Sequence, residues 1–288
     1  MFHGVGGTDP IEAMAPGSMG WGLFQPLSTA LGNREIAMPT CAYCKKEAVL
    51  TKEHIWPSGL IQRMGSAKTY EPRAGKFHGG EPVIRDVCAS CNNGNLSVLD
   101  DYLCELFDKF MASTWNPGNE GEFKYDYQFL LRGLLKISFN SARAMKDEVA
   151  AKVLNRYAPF ILTGGHIRNV CLRLQIVTSS KAINIEDGTE KLFEPYAFRN
   201  AQVPYDGVLS ERFLVRLVAI NSYWFYLVFS IRDEPHHNWK KVLAGLSNWL
   251  TPTGVEIPMS KSLLKIKANQ TTYFHTELLG KLQYTNFA

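Results

Sequence analysis

Apolar residues recur along this chain with two periods, one near 3.6 and one of two. Leu96, Leu99, Leu103, Leu106, Phe107 and Phe110 follow helical spacing, and Asp100, Asp101, Glu105 and Asp108 take positions between them. That pattern predicts an amphipathic helix beginning just after Cys91. A second helix is predicted over 129–144, where Phe129, Leu130, Leu134, Ile137 and Phe139 are apolar, with shorter ones over 147–157 and 239–250. Val170, Leu172, Leu174 and Ile176 alternate with Cys171, Arg173 and Gln175, the pattern of a half-buried strand. The segments 213–220 and 223–231 are rich in β-branched and aromatic residues and are separated only by Asn221-Ser222, which predicts a hairpin. Trp224 and Tyr226 within it read as core residues.

Helices interspersed with antiparallel strands give an α+β fold class. Residues 1–38 differ from the rest: Gly, Met, Ala and Pro dominate and charges are sparse. They read as a flexible extension, or as sequence ahead of an internal start at Met38. Residues 39–113 hold the motifs. The turn-rich stretch Trp115-Asn-Pro-Gly-Asn-Glu-Gly121 is the expected boundary, and 122–288 is expected to be a second α+β domain.

Composition narrows the class. In 288 residues, hydrophobic content is 45% and charged content 20%, ordinary for a soluble globular protein. No apolar run approaches the roughly 20 residues of a membrane span, and the amino-terminal stretch lacks the cationic and apolar blocks of a secretory signal. The expectation is a cytoplasmic protein. The net charge of +4 is matched by the excess after Trp239, where Lys240, Lys241, Lys261, Lys265, Lys267 and Lys281 face only Glu256 and Glu277. Such a balance permits nucleic-acid binding without arguing for it.

The six cysteines carry more. Four form two C-x-x-C pairs, Cys41/Cys44 and Cys88/Cys91, with 43 residues between them, while Cys104 and Cys171 are isolated. Two such turns can close one tetrahedral zinc site, which with four thiolates would be structural. Between the pairs runs Leu50-Thr-Lys-Glu-His-Ile-Trp-Pro57, and Asn92-Asn-Gly-Asn95 follows the second pair directly.

This arrangement, C-x-x-C, then E-H-I-x-P, then C-x-x-C-N, resembles the HNH nucleases whose ββα-metal hairpin is pinned by zinc. The resemblance covers residues 41 to about 110. It implies a metal-dependent endonuclease that hydrolyses phosphodiesters, with His54 as the general base and Glu53 and Asn92 holding a catalytic Mg²⁺ or Mn²⁺. A neutral imidazole titrating near neutrality suits that task. Adjacent strand residues point to opposite sides, so Glu53 and His54 cannot both face one ion without a local irregularity. Three departures stand out. The acid is Glu rather than Asp, the final His is replaced by Asn92, and the middle Asn has no match in Pro82-Val-Ile-Arg-Asp-Val87, where Asp86 is a weak substitute. Asn93 and Asn95 read as cap or turn residues. The implied partner is nucleic acid, DNA in the first place, with a homodimer as one route to double-strand cutting; phage defence or restriction is the biological setting by analogy. The competing expectations are a zinc-stabilised nucleic-acid-binding module without catalysis and an RNA-directed nuclease or toxin.

Overall fold

The structure, a computed structural model, describes residues 38–64, 69–71, 76–78, 82–183, 187–196, 198–203, 208–249 and 254–268. The expected extension, residues 1–38, lies almost wholly outside them. In chain order the elements are β1 (Leu50–His54), α1 (Ser58–Arg63), β2 (Thr69–Glu71), β3 (Lys76–His78), β4 (Val83–Cys88) and α2 (Ser97–Leu106). A turn over Cys91–Leu96, kinked at Gly94 (φ −106°, ψ −105°), leads into α2, and a wider π-helical turn over Phe107–Met111 continues it. Then come β5 (Glu120–Lys124), α3 (Tyr127–Ala144), α4 (Glu148–Asn155), α5 (Ala158–Thr163), β6 (Val170–Ile176), β7 (Ser180–Ile183) and β8 (Glu190–Phe193). The last are β9 (Phe198–Gln202), β10 (Phe213–Ile220), β11 (Tyr223–Ser230), α6 (His236–Trp249), β12 (Val255–Glu256) and β13 (Leu263–Lys267). This is a mixed, α+β architecture. Among the described residues no helix is long and apolar enough to cross a membrane.

The central sheet has the strand order β12-β6-β11-β10-β9, and all its pairings are antiparallel. Its β10–β11 hairpin turns at Asn221-Ser222, as the sequence predicts. Asn221 sits at φ 49°, a left-handed conformation that Asn tolerates better than most residues. The turn is buried and gripped from both sides: Asn221 Nδ2 donates to the carbonyl of Met111 (2.7 Å), and Ser222 Oγ accepts from the Trp115 amide (2.9 Å). One face of the sheet sends Leu214, Val218, Ile220, Phe225 and Phe229 into the main core. The other sends Val215, Leu217, Trp224 and Tyr226 against Val242 and Leu246 of α6. Every residue of β10 and β11 is therefore buried.

α3 runs through the middle of the main core. Asp126 caps it, accepting from the Phe129 amide (3.0 Å). Its residues 130–142 are buried except Arg132, which is half-buried. Gly133 lets α2 approach closely; a Cβ there would lie 2.9 Å from Leu103 Cδ1.

The turn-rich stretch 115–121 does not separate two cores. Leu99, Leu103, Leu106 and Met111 share one hydrophobic cluster with Phe123, Leu134, Phe139, Leu174 and Phe225, and residues from Met38 onward form one unit. The boundary expected from turn composition marks a surface excursion between β5 and the α2 extension, not a break in packing.

Candidate metal centre and the Glu53-His54 strand

β1 and β4 pair antiparallel, and the two cysteine turns stand at their base: Cys41 and Cys44 just before β1, Cys88 and Cys91 at the end of β4. The first turn is tight. Cys41 N donates to the Lys46 carbonyl (2.9 Å), Lys45 N donates back to Cys41 O (3.1 Å), and Lys45 takes φ 61° to close it. The four sulfurs lie within 4.8 Å of one another, all as free cysteines. A tetrahedron of Zn–S bonds about 2.3 Å long has edges of about 3.8 Å. The Cys44–Cys88 separation is 3.8 Å. The donor set and its spacing thus fit a closed, structural zinc.

Electrostatics support the same use. Burial pushes the Cys41 thiol up, but amide donors from Cys88 (3.4 Å), Cys44 and Tyr43 outweigh it and bring the group down to about 7. Burial raises Cys91, and hydrogen bonds from the neighbouring thiols add to that. A cation among the four sulfurs would favour the thiolates over both effects.

On β1 the expected alternation holds. Glu53 is 2% exposed, Lys52 is exposed and His54 is half-buried. The register slips between Thr51↔Val87 and Glu53↔Ile84, so Arg85 and Asp86 both stand opposite Lys52. This bulge puts its extra residue on β4 and leaves the alternation of β1 intact, so Glu53 and His54 stay on opposite sides of the strand. Val83 stands opposite His54, so the middle asparagine missing from the sequence is missing from the strand pair as well. Asn92 is brought to β1 across 40 residues of chain. Its Nδ2 donates to Thr51 Oγ1 (3.0 Å) and to the Lys52 carbonyl (2.7 Å).

Glu53 departs from its expected role. Its carboxylate points inward, and Oε1 lies 2.7 Å from Lys136 Nζ and 3.2 Å from Asn140 Nδ2. Lys136 is fully buried, and its ammonium also meets both oxygens of Asp100 at 2.5 and 2.7 Å. Burial raises the Asp100 carboxyl above its ordinary range, against the pull of Lys136. A hydrated Mg²⁺ or Mn²⁺ needs open coordination positions for water and phosphate. A carboxylate this buried, already neutralised by an ammonium, does not offer them. The residues as arranged do not fit a cation shared by Glu53 and Asn92.

The sequence reading missed the groups that surround Glu53. Lys136, Asn140 and Arg143 lie on one stripe of α3, spaced by four and three. Asn140 Nδ2 also donates to the His54 carbonyl (2.9 Å), while its Oδ1 accepts from Tyr43 Oη (2.6 Å) and Arg143 Nη2 (2.9 Å). Tyr43 lies between the two cysteines of the first turn, and burial raises its phenol strongly. Arg143 Nε bonds Asp86 (2.7 Å), and its guanidinium lies 3.8 Å from the centre of the Phe139 ring. The signal was three polar side chains at helical spacing on the buried face of a helix whose other polar residues are Gln128, Arg132, Ser138 and Ser141. Trp56 is buried and packs on Phe198 of β9 with ring centroids 5.1 Å apart. No family model, curated protein or solved structure matches the chain.

Proposed function

We propose that this protein is an endonuclease that hydrolyses phosphodiester bonds of nucleic acid, DNA in the first place, with His54 as its general base. The observation that carries this reading is the contact between Asn92 and β1: an asparagine at the helix start, next to the second cysteine pair, is bonded to the strand bearing Glu53-His54. The strand–strand–helix order and the four-cysteine base support the same HNH-like reading.

The outer face of the hairpin suits the task. By alternation Lys52 shares the His54 face, and Arg85 is exposed on the neighbouring strand opposite Lys52. Two cations beside a half-exposed imidazole can hold a phosphate backbone while the imidazole takes a proton from attacking water. The zinc, in its closed site, would fix the base of the hairpin and take no part in the reaction.

The test is cleavage of supercoiled plasmid, single-stranded DNA and RNA by the zinc-loaded protein, with Mg²⁺, with Mn²⁺ and without either. His54→Ala should lower cleavage by about 10²-fold or more, the contribution of a positioned general base, with zinc content unchanged. Cleavage that survives this substitution would sink the mechanism. RNA cut in preference to DNA would redirect the substrate assignment.

A second reading has its own observation. Val83 opposite His54 and the buried Glu53 remove two of the groups that the resemblance implies. On this reading the hairpin binds nucleic acid without cutting it. Salt-sensitive binding with no cleavage under any metal condition would establish it.

A further inference from the structure

We infer that Glu53 is a positioning residue, locked by Lys136 and Asn140, and that the Lys136 ammonium is the resident cation of this carboxylate in place of a divalent ion. The inference rests on the nuclease reading only for what Glu53 would position, namely His54.

The argument begins with burial. Lys136 is 0% exposed and Glu53 2%, while Asp100 completes the triad from α2 with its side chain 27% exposed. Removing such charges from water costs several kcal/mol each, so the groups persist only as a mutually satisfied set. Displacing the ammonium by a divalent ion would leave Lys136 buried with Asp100 alone. Binding the ion beside the ammonium would put like charges on one carboxylate. Neither route has a compensating group within the set.

The same set explains what Glu53 does. Its Oε1 and the His54 carbonyl are the two acceptors of a single amide, Asn140 Nδ2, at 3.2 and 2.9 Å. That amide is fixed in turn by Tyr43 and Arg143. The main chain of residues 53–54 is therefore tied to α3 next to the β4 bulge. The imidazole of His54 inherits that orientation through its own backbone.

Two measurements on the zinc-loaded full chain decide the matter, and neither depends on cleavage. The first is Mn²⁺ binding to wild type and to Glu53→Gln. Lys136 keeps Asp100 as its counter-ion in this variant, which favours folding. The expected result is that Mn²⁺ affinity changes by less than about twofold, or that no Mn²⁺ binds in either protein. Weakening by about tenfold or more, the scale of a metal-site residue, would overturn the inference. The second needs no variant: the Lys136 ammonium is followed by ¹H–¹⁵N NMR during Mg²⁺ titration. An unchanged signal at saturation supports the lock, and its displacement or loss overturns it. For the positioning role, Glu53→Gln should lower the cleavage rate while leaving the Mg²⁺ concentration for half-maximal rate unchanged. A rise in that concentration with unchanged maximal rate would assign Glu53 to the ion. Absence of cleavage in wild type would count against the nuclease reading and leave the two binding measurements to decide the lock.

Discussion

Asn140 makes four hydrogen bonds, the capacity of its side chain: two donated by Nδ2 and two accepted by Oδ1. Truncating it would orphan groups in a region with little access to water. Asn140→Ala should therefore destabilise the zinc-loaded protein by about 3 kcal/mol, the cost of buried partners left unmade. Denaturant unfolding at fixed zinc measures this, and a change below about 0.5 kcal/mol, the scale of an ordinary surface site, would remove Asn140 from the centre of the network. At this scale the sequence was legible where chemistry depends on spacing along the chain. The cysteine pairs follow from such spacing, whereas the association of Asn92 with the Glu53-His54 strand was implied only by the resemblance. The inward turn of Glu53 was half legible, because alternation sends it and His54 to opposite sides. Its partners were not, because Lys136 and Asn140 meet it only through packing between α3 and the hairpin. The buried Arg216 is a similar case: burial brings it down to about 10 against the pull of Asp147, and it bonds Asn200 across β9 at 2.6 Å.

At the scale of elements, long segments with a clear period were read correctly and short charged ones were not. The helices around 97–106 and 127–144, strand β6 and the β10–β11 hairpin all stand where periodicity put them. Strands β5 and β13, with sequences EGEFK and LLKIK, pair with each other through interleaved charges such as Lys267–Glu120 (2.5 Å). β5 has a single large apolar residue, Phe123, and β13 is only five residues long, so neither announces a strand without its partner. β12 is shorter still, and what fixes it is a close approach. Gly254 has φ 66°, and a Cβ built on it would lie 1.9 Å from the Leu174 carbonyl oxygen of β6. Arg173 also reaches back to the Gly254 carbonyl. Gly254→Ala should force β12 away from β6 and cost about 3 kcal/mol through strain and overpacking. Thermal unfolding of the variant reads this directly, and an unchanged midpoint would show that the β12 edge gives way freely.

For the whole molecule, the decisive fact is that the hairpin and its four clustered cysteines are packed against α3. Residues 39–113 read as a self-contained domain because their motifs are contiguous, and motifs say nothing about where a core is completed. In the fold, Leu99 and Leu103 of α2 lie in the same cluster as Leu134 and Phe139, and Glu53, Tyr43 and Asp100 take their polar partners from α3. A fragment ending at residue 113 would keep all four cysteines and lose every one of those partners. It should bind one zinc through its thiolates, since that energy is local. It should nevertheless fail to reach the native hairpin-on-helix packing, with Glu53 left without its ammonium and the apolar face of α2 uncovered. The measurement is an ¹⁵N NMR spectrum of the zinc-loaded fragment beside the full chain. Collapsed dispersion outside the cysteine turns is expected. Native-like shifts through β1, β4 and α2 would show instead that 39–113 is an autonomous unit, and that α3 only settles against a strand pair already made.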